Sequence, residues 1–336
     1  MDIDTSKYSL YVSISDSSYI DKLKNSFNLI KSYPEVSIGF LKEKVIKDED
    51  EDEEETEEDK EQNAIEQNII ELNTTGSIES SIYIYIKHIL AADDRNFKTY
   101  NPITKMQENI INVKVDSIND IFKSIQSTST LTMYMLNTPD KLYINEQEEN
   151  TISNDVIQTM EKKDNLQIAK YCNLNEETIK AKVCIDSELL SDIIKKKFNK
   201  SIKSESCIDI KLTENALSFI NNPIRQSSFM NSKEINCLQS DRLIIEMYDP
   251  KIKIITSKYV YQNLDFLKSI KPQYYKTVII LFAKLKRDPK DDNYMIQFIY
   301  SGAKGINGDY IKISIFPCKP DNNDNYDNDN QIDYDN

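Results

Sequence analysis

Glycine is scarce in this chain of 336 residues: there are five, with one histidine and no tryptophan. So few glycines exclude a G-x-G-x-x-G dinucleotide turn and a G-x-x-x-x-G-K-[ST] phosphate loop, both of which need backbone free to approach a phosphate. The lone histidine, His88, stands in an alternating run, "SSIYIYIKHI" (80–89), where a structural or surface role is expected. No nucleophile elbow and no paired metal-ligand spacing occur. The five cysteines, Cys172, Cys184, Cys207, Cys237 and Cys318, form no C-x-x-C pair. They signal neither a disulfide framework nor a zinc site and read as core or surface thiols. No apolar run reaches the ~18 residues of a membrane span, and the opening "MDIDTSKYSL" lacks a signal-peptide pattern. A soluble intracellular protein is expected, with no cofactor and no membrane partner. Binding or scaffolding stands ahead of catalysis.

What is abundant is acid, and it is localised. The net charge is −14, yet "DEDEDEEETEEDKE" (48–61) holds twelve acids and one lysine, and "DNNDNYDNDNQIDYDN" (321–336) holds six acids and no base. Without these two segments the chain has 38 acids against 41 bases, about +3. Both are too polar to pack and are expected to be disordered. The near-neutral remainder leaves a nucleic-acid partner open.

That remainder alternates strands with short helices. "KYSLYVSI", a helix in "DSSYIDKLKNSFNLIKSY" and "EVSIGFLKEKV" make one strand–helix–strand run, followed by "QNIIELN" and the alternating 80–89 segment. "ENIINVKV" leads into the cap–helix–hairpin "VDSINDIFKSIQSTSTLTMYMLNTPDKLYI" (115–144). A polar stretch near 169–178 precedes a second cycle: "TIKAKVCI", a helix over 187–203, "CIDIKL" and "ALSFI". A fourth unit runs through "DRLIIEMYDPKIKIIT", a helix in "SKYVYQNLDFLKSIK", "KTVIILFAKL", "YMIQFIYS" and "YIKISIFP". Period-two alternation points to antiparallel sheets with one covered face. Caps are expected at Ser17 or Ser18, Ser117, Ser187 and Ser257. The fold class is α+β: two similar domains, each with two helices on antiparallel sheet.

On the wheel of 187–203, Leu189, Leu190, Ile193, Ile194 and Phe198 fill the covered half. Glu188, Ser191, Asp192, Lys195, Lys196, Asn199 and Lys203 fill the other. The other helices offer Lys22, Lys123, Lys258 and Lys268. Lysine on a solvated face is ordinary, but recurrence on corresponding helices would make a basic track suited to phosphates.

Three segments resemble the DNA sliding-clamp family, the proliferating cell nuclear antigen class. "NIINVKVDSINDIFKSIQSTSTLTMYMLNTPDKLYI" (109–144) is similar to its strand, second helix and paired strands. "KAKVCIDSELLSDIIKK" (180–196) is similar to the start of its second domain. "NGDYIKISIFPCKPD" (307–321) is similar to its closing strand, with Gly308 and Pro317 matching. The resemblance implies a clamp domain over 1–168 with an insert at 47–63, a connector at 169–178, a second clamp domain over 179–320 and a tail at 321–336. It further implies a homotrimeric ring around double-stranded DNA, contacted without sequence preference through Lys22, Lys123 and Lys195, which fall on matching positions; the helical wheel adds Lys196 and Lys203, and the fourth helix adds Lys258 and Lys268. Such a ring is a processivity factor, tethering a DNA polymerase and meeting a clamp loader. Other partners dock a short helical motif in an apolar pocket, here Leu174, Ile315, Phe316 and Pro317.

The sequence departs from the family at "LNTTGSIESS" (72–81), at Ile313-Ser314 in the last strand and in the acidic insert. Rich in Asn and Ile, it suggests an AT-rich genome, that of a large DNA virus or a protist, with work in the nucleus or at a viral replication site. Two other readings keep the fold: a subunit of a heteromeric checkpoint-type clamp, and a structural scaffold that binds no DNA.

Overall fold

The computed structural model describes residues 7–46, 64–74, 82–90, 97–99, 109–137, 140–148, 151–160, 174–197, 207–221, 226–231, 243–284, 294–302 and 309–318. The acidic stretches 47–63 and 321–336 and the start of the connector, 169–173, lie outside the described residues.

The first half of the chain runs β1 (Tyr8–Ile14), α1 (Ser17–Leu29), β2 (Glu35–Ile46), β3 (Ala64–Thr74), β4 (Ile82–Leu90), β5 (Phe97–Thr99), β6 (Asn109–Lys114), α2 (Val115–Ser124), β7 (Thr130–Leu136), β8 (Lys141–Glu148) and β9 (Thr151–Gln158). The second repeats the order: β10 (Ile179–Asp186), α3 (Ser187–Lys197), β11 (Cys207–Thr213), β12 (Ala216–Asn221), β13 (Gln226–Asn231), β14 (Leu243–Met247), β15 (Ile254–Val260), α4 (Tyr261–Asp265), β16 (Thr277–Lys284), β17 (Tyr294–Ser301) and β18 (Tyr310–Ile315). Each strand thus has a counterpart nine places later. The α+β duplication expected from the alternation is present, and every strand pairing is antiparallel.

The described residues form three sheets. One has five strands in the order β5-β1-β7-β8-β9, and one has four, β13-β12-β11-β15. The third has nine, β14-β10-β16-β17-β18-β4-β3-β2-β6, and its centre is the join between the two halves. There β18 pairs with β4 from Tyr310↔Lys87 to Ile315↔Ile82. On one face of this seam the Lys87 and Lys312 ammonium groups lie over the Tyr310 ring, at 5.7 and 5.0 Å from its centroid. Tyr85 donates to Glu71 there, and burial pushes the Tyr85 phenol far above its ordinary range. On the other face Ile84, Ile86, Ile311 and Ile313 are buried in one continuous core.

Alternation sets what each strand buries: in β7 Leu131, Met133 and Met135 point inward while Thr132 and Tyr134 point out. The helices cover the inward faces. In the first half α1 buries Ile20, Leu23 and Phe27, and Phe27 meets Phe122 of α2 with ring centroids 4.4 Å apart.

The serine caps are not where the sequence suggested. Asp16 caps α1, its carboxylate accepting from the Ser18 N–H at 2.8 Å. Asp186 caps α3 by accepting from the N–H groups of Glu188 and Leu189, both at 3.0 Å. α2 has no side-chain cap; it follows β6 directly, and the Val115 N–H donates to the Pro34 carbonyl at 3.1 Å. "SKYV" continues β15, so α4 begins at Tyr261 and Ser257 is a strand residue. Aspartate one position earlier does the capping because its carboxylate reaches the second and third N–H groups of the helix. No helix among the described residues is long and apolar enough to cross a membrane.

Candidate nucleic-acid interface and partner pocket

The helices form one row across both halves. α2 packs on α1 through Phe122 and Phe27, and Lys24 of α1 donates to the Ile125 carbonyl just beyond α2. From α1 the row continues into the second half, where Asn25 donates to the Tyr274 hydroxyl at 3.0 Å. Tyr274 closes the second of two 3-10 turns that follow α4, Phe266–Ser269 and Pro272–Tyr274, and α3 packs against both. Between α1 and these turns lies a small cleft lined by Asn25, Ser26, Lys271, Tyr274 and Tyr275.

The candidate lysines hold different places along this row. Lys195 on α3 is exposed. Lys123 on α2 is exposed and pairs with Asp120 one turn earlier at 2.7 Å. A pair in full solvent contributes only ~0–1 kcal/mol, so Lys123 can exchange Asp120 for another anion. Lys22 differs: its side chain is 26% exposed and its ammonium is ion-paired with Asp309, ahead of β18; the other oxygen of Asp309 accepts from the Ile89 N–H at 2.7 Å. Lys22 is therefore a latch between the halves. Lys268 is bound by Asp265 and by the Tyr261 hydroxyl, at 3.2 Å from the latter, and sits in a 3-10 turn. Lys258, expected on the fourth helix, lies on β15. The side chains of Lys196 and Lys203 lie outside the described residues. The wheel is also rotated: Ser191, expected outward, is buried beside Leu190 and Ile194, while Glu188 and Asp192 are exposed. Lys24 of α1, and Lys271 just beyond the expected fourth helix, also lie in the row.

His88 of β4 is buried beneath α1. Its Nε2 lies 2.8 Å from the Ser26 hydroxyl, whose own hydrogen goes to the Lys22 carbonyl at 2.9 Å. Nε2 is therefore the donor, and Nδ1 has no hydrogen-bond partner among the described residues. A proton on Nδ1 would be buried without an acceptor. Burial pulls the imidazole pKa down to about 4, against an opposing pull from Asp309.

The expected partner pocket divides. Ile315 is wholly buried, paired with Ile82 and Ile296 in the core, and forms no pocket wall. A β-strand alternates its faces, so its neighbour Phe316 points elsewhere. Phe316 is half-buried and stands edge-on to Tyr83, ring centroids 5.6 Å apart, in a small separate cluster with Tyr85. Pro317 follows, also half-buried. Leu174 is half-buried just before the turn Glu176–Thr178 and is not part of that cluster. Tyr83 and Tyr85 escaped the sequence reading; their alternation in "SIYIYI" marks a strand face, but only the β4–β18 pairing brings them to Phe316.

No family model matches this chain, and no curated protein matches it. Solved structures do. Proliferating cell nuclear antigen from Entamoeba histolytica is similar over 93% of this chain and 100% of its own, at 11% identity and a TM-score of 0.59. The PCNA2–PCNA3 complex from Sulfolobus tokodaii is similar over 91% of this chain and 98% of that one, at 16% identity and a TM-score of 0.59. At such identities the likeness speaks for the fold alone.

Proposed function

We propose that this chain, which has the fold of the proliferating cell nuclear antigen clamps, assembles head to tail into a ring that encircles duplex DNA and tethers the replication proteins that dock on it. One observation carries the reading. In the nine-stranded sheet the order on one side of the seam is β14-β10-β16-β17-β18, and on the other β4-β3-β2-β6. Replacing each strand by its counterpart in the other half turns these into β5-β1-β7-β8-β9 and β13-β12-β11-β15, the two smaller sheets. Among the described residues β9 and β13 are free edges, the counterparts of the paired β18 and β4. Joining β9 of one copy to β13 of the next makes a second nine-stranded sheet of the same order and covers edges that would otherwise invite aggregation.

The backbone of β9 is oriented for this. Thr159 N–H donates back toward β8, to the Asp140 carbonyl, while Met160 N–H donates the other way, to Asn112. Alternation then aims the N–H groups of Ile152, Asn154, Val156 and Gln158 at the open edge. Ile152 and Val156 are 63% and 52% exposed there.

Such a joint has direction and closes into a ring; three copies is the number the likeness to the clamps supplies. The helix row would face the hole, with Lys195, Lys196 and Lys123 touching phosphates loosely. Lys22 and Lys268, already bound, would set shape. Exposed acids between the lysines keep that contact weak, which suits sliding, since a closed ring holds DNA topologically. No chemical step belongs to this role. Phe316 and Pro317, with Tyr83, would form one wall of the docking pocket for short helical motifs.

Sedimentation tests the ring: a species of about three times the 39.1 kDa chain is expected. After loading, retention on nicked circular DNA and loss on linearisation would mark topological hold. A protein monomeric at micromolar concentration overturns the reading. The heteromeric alternative, to which the two-component Sulfolobus complex lends weight, predicts a trimer only after a second clamp subunit is added.

A further inference from the structure

Two cysteines 111 positions apart meet: Cys207 Sγ and Cys318 Sγ are 3.4 Å from each other. Both are free, half-buried thiols. Cys207 opens β11, where it faces Val260 of β15 in register. Cys318 lies three residues past β18, and its N–H donates to the Lys258 carbonyl of β15 at 2.7 Å. The segment 316–318 therefore spans two places: Phe316 on Tyr83 of the first half, Cys318 on the β11–β15 pair of the second.

We propose that Cys207 and Cys318 are a reversible modification site, closing to a disulfide under oxidising conditions and fastening the segment 316–318 to the sheet of the second half. The sulfurs need only approach by ~1.4 Å to reach the ~2.05 Å bond length. The oxidant is a low-molecular-weight disulfide. One cysteine thiolate attacks it, forming a mixed disulfide and releasing one thiol; the second cysteine attacks the sulfur of the first, releasing the other thiol. Two protein thiols are oxidised to one disulfide, and the small disulfide is reduced to two thiols. Burial and the adjacent Cys207 push the Cys318 thiol up to about 12, with Lys258 pulling the other way. Closure holds Phe316 by a covalent link two residues away; this consequence for docking rests on the pocket reading above, whereas the disulfide does not.

The test treats the reduced full-length protein with oxidised glutathione at pH 8, followed by denaturation, alkylation and peptide mapping. A linked peptide pair joining Cys207 to Cys318, a loss of two hydrogens in the intact monomer, and full reversal by dithiothreitol are expected. Cys207→Ser and Cys318→Ser should each abolish the link; both sulfurs are half-buried and serine is nearly isosteric, and near-native Tm of each variant confirms that it folds. Quantitative alkylation of both cysteines after oxidation overturns the proposal, as does preferential linkage of Cys318 to Cys172, Cys184, Cys237 or another chain. A second arm measures a helical docking peptide on the reduced and closed forms, with at least a threefold change in Kd expected. A mapped disulfide with unchanged Kd upholds the modification and overturns its coupling to the pocket.

Discussion

Adjacent residues at the end of β18 have opposite duties, and the difference is one of strand geometry. Ile315 is fully buried while Phe316 is half-exposed against Tyr83. Ile315→Ala should lower stability by about 2–5 kcal/mol through lost burial and a residual cavity. Phe316→Ala should cost less stability yet weaken a docking peptide by tenfold or more, as loss of an aromatic anchor does. Urea unfolding and fluorescence anisotropy of the two variants check both, and equal destabilisation would contradict the division. His88 supplies a pH dependence. Its folded pKa of about 4 lies below the ordinary 6.5, so the neutral form is the native one. The unfolded chain takes up a proton as pH falls through 6.5, and the folded protein resists until about 4. Stability is therefore complete above 6.5 and declines below it, by ~2 kcal/mol at pH 5. Asp309 and Lys22, ion-paired with each other, are the charged groups that face the imidazole. His88→Gln, compared with the parent in urea at pH 7 and pH 5, should remove most of this slope.

Helices and edge strands differ in how much of them could be read in advance. α1, α2 and α3 were legible because a covered apolar stripe recurs at helical spacing. α4 was misplaced because "SKYV" is both a plausible helix start and a good strand end, and pairing with β11 decided for strand. β9 and β13 went unread altogether: "TISNDVIQ" and "QSSFMN" carry polar residues where buried strands have apolar ones. A strand with one neighbour in the protomer does not need the pattern of a central strand. The helical lysines follow the same logic, since only position says whether an ammonium is free. Lys195→Glu with Lys196→Glu should weaken DNA association severalfold and reduce the salt dependence of binding, while leaving the oligomer intact. Filter binding across a salt series measures this, and unaltered slope and affinity would remove α3 from the DNA-facing surface.

At the scale of the molecule, the duplication gives the chain one joint within itself and, on the proposed ring, a second between copies built from the counterpart strands. The one within the chain, β18 on β4, has six register pairs, a buried isoleucine face and a tyrosine–lysine face. The one between copies would reuse β9 and β13. Val156→Pro tests that joint directly: it deletes an N–H aimed at the open edge and spares the ladder to β8, because proline removes only its own donor. The protomer should stay folded, with a Tm within a few degrees of the parent. Its association should weaken at least tenfold by analytical ultracentrifugation. A Val156→Pro protein that remains fully trimeric would rule out β9 as the joint.

By itself the sequence determined the α+β class, the fourfold use of one strand–helix–strand–strand unit, and the segments that supply the covered faces. These depend on local periodicity, which neighbours in the chain dictate. Which ammonium groups are already paired, which cysteines touch, that Ile315 is core, and that β9 and β13 are left open were decided only in three dimensions. Lys123 and Lys268 pair with acids three residues away, but the others depend on residues that lie tens to hundreds of positions apart, as in Lys22 with Asp309 and Cys207 with Cys318. No local pattern encodes such encounters; the β4–β18 seam creates the first, and the path of the chain beyond β18 creates the second.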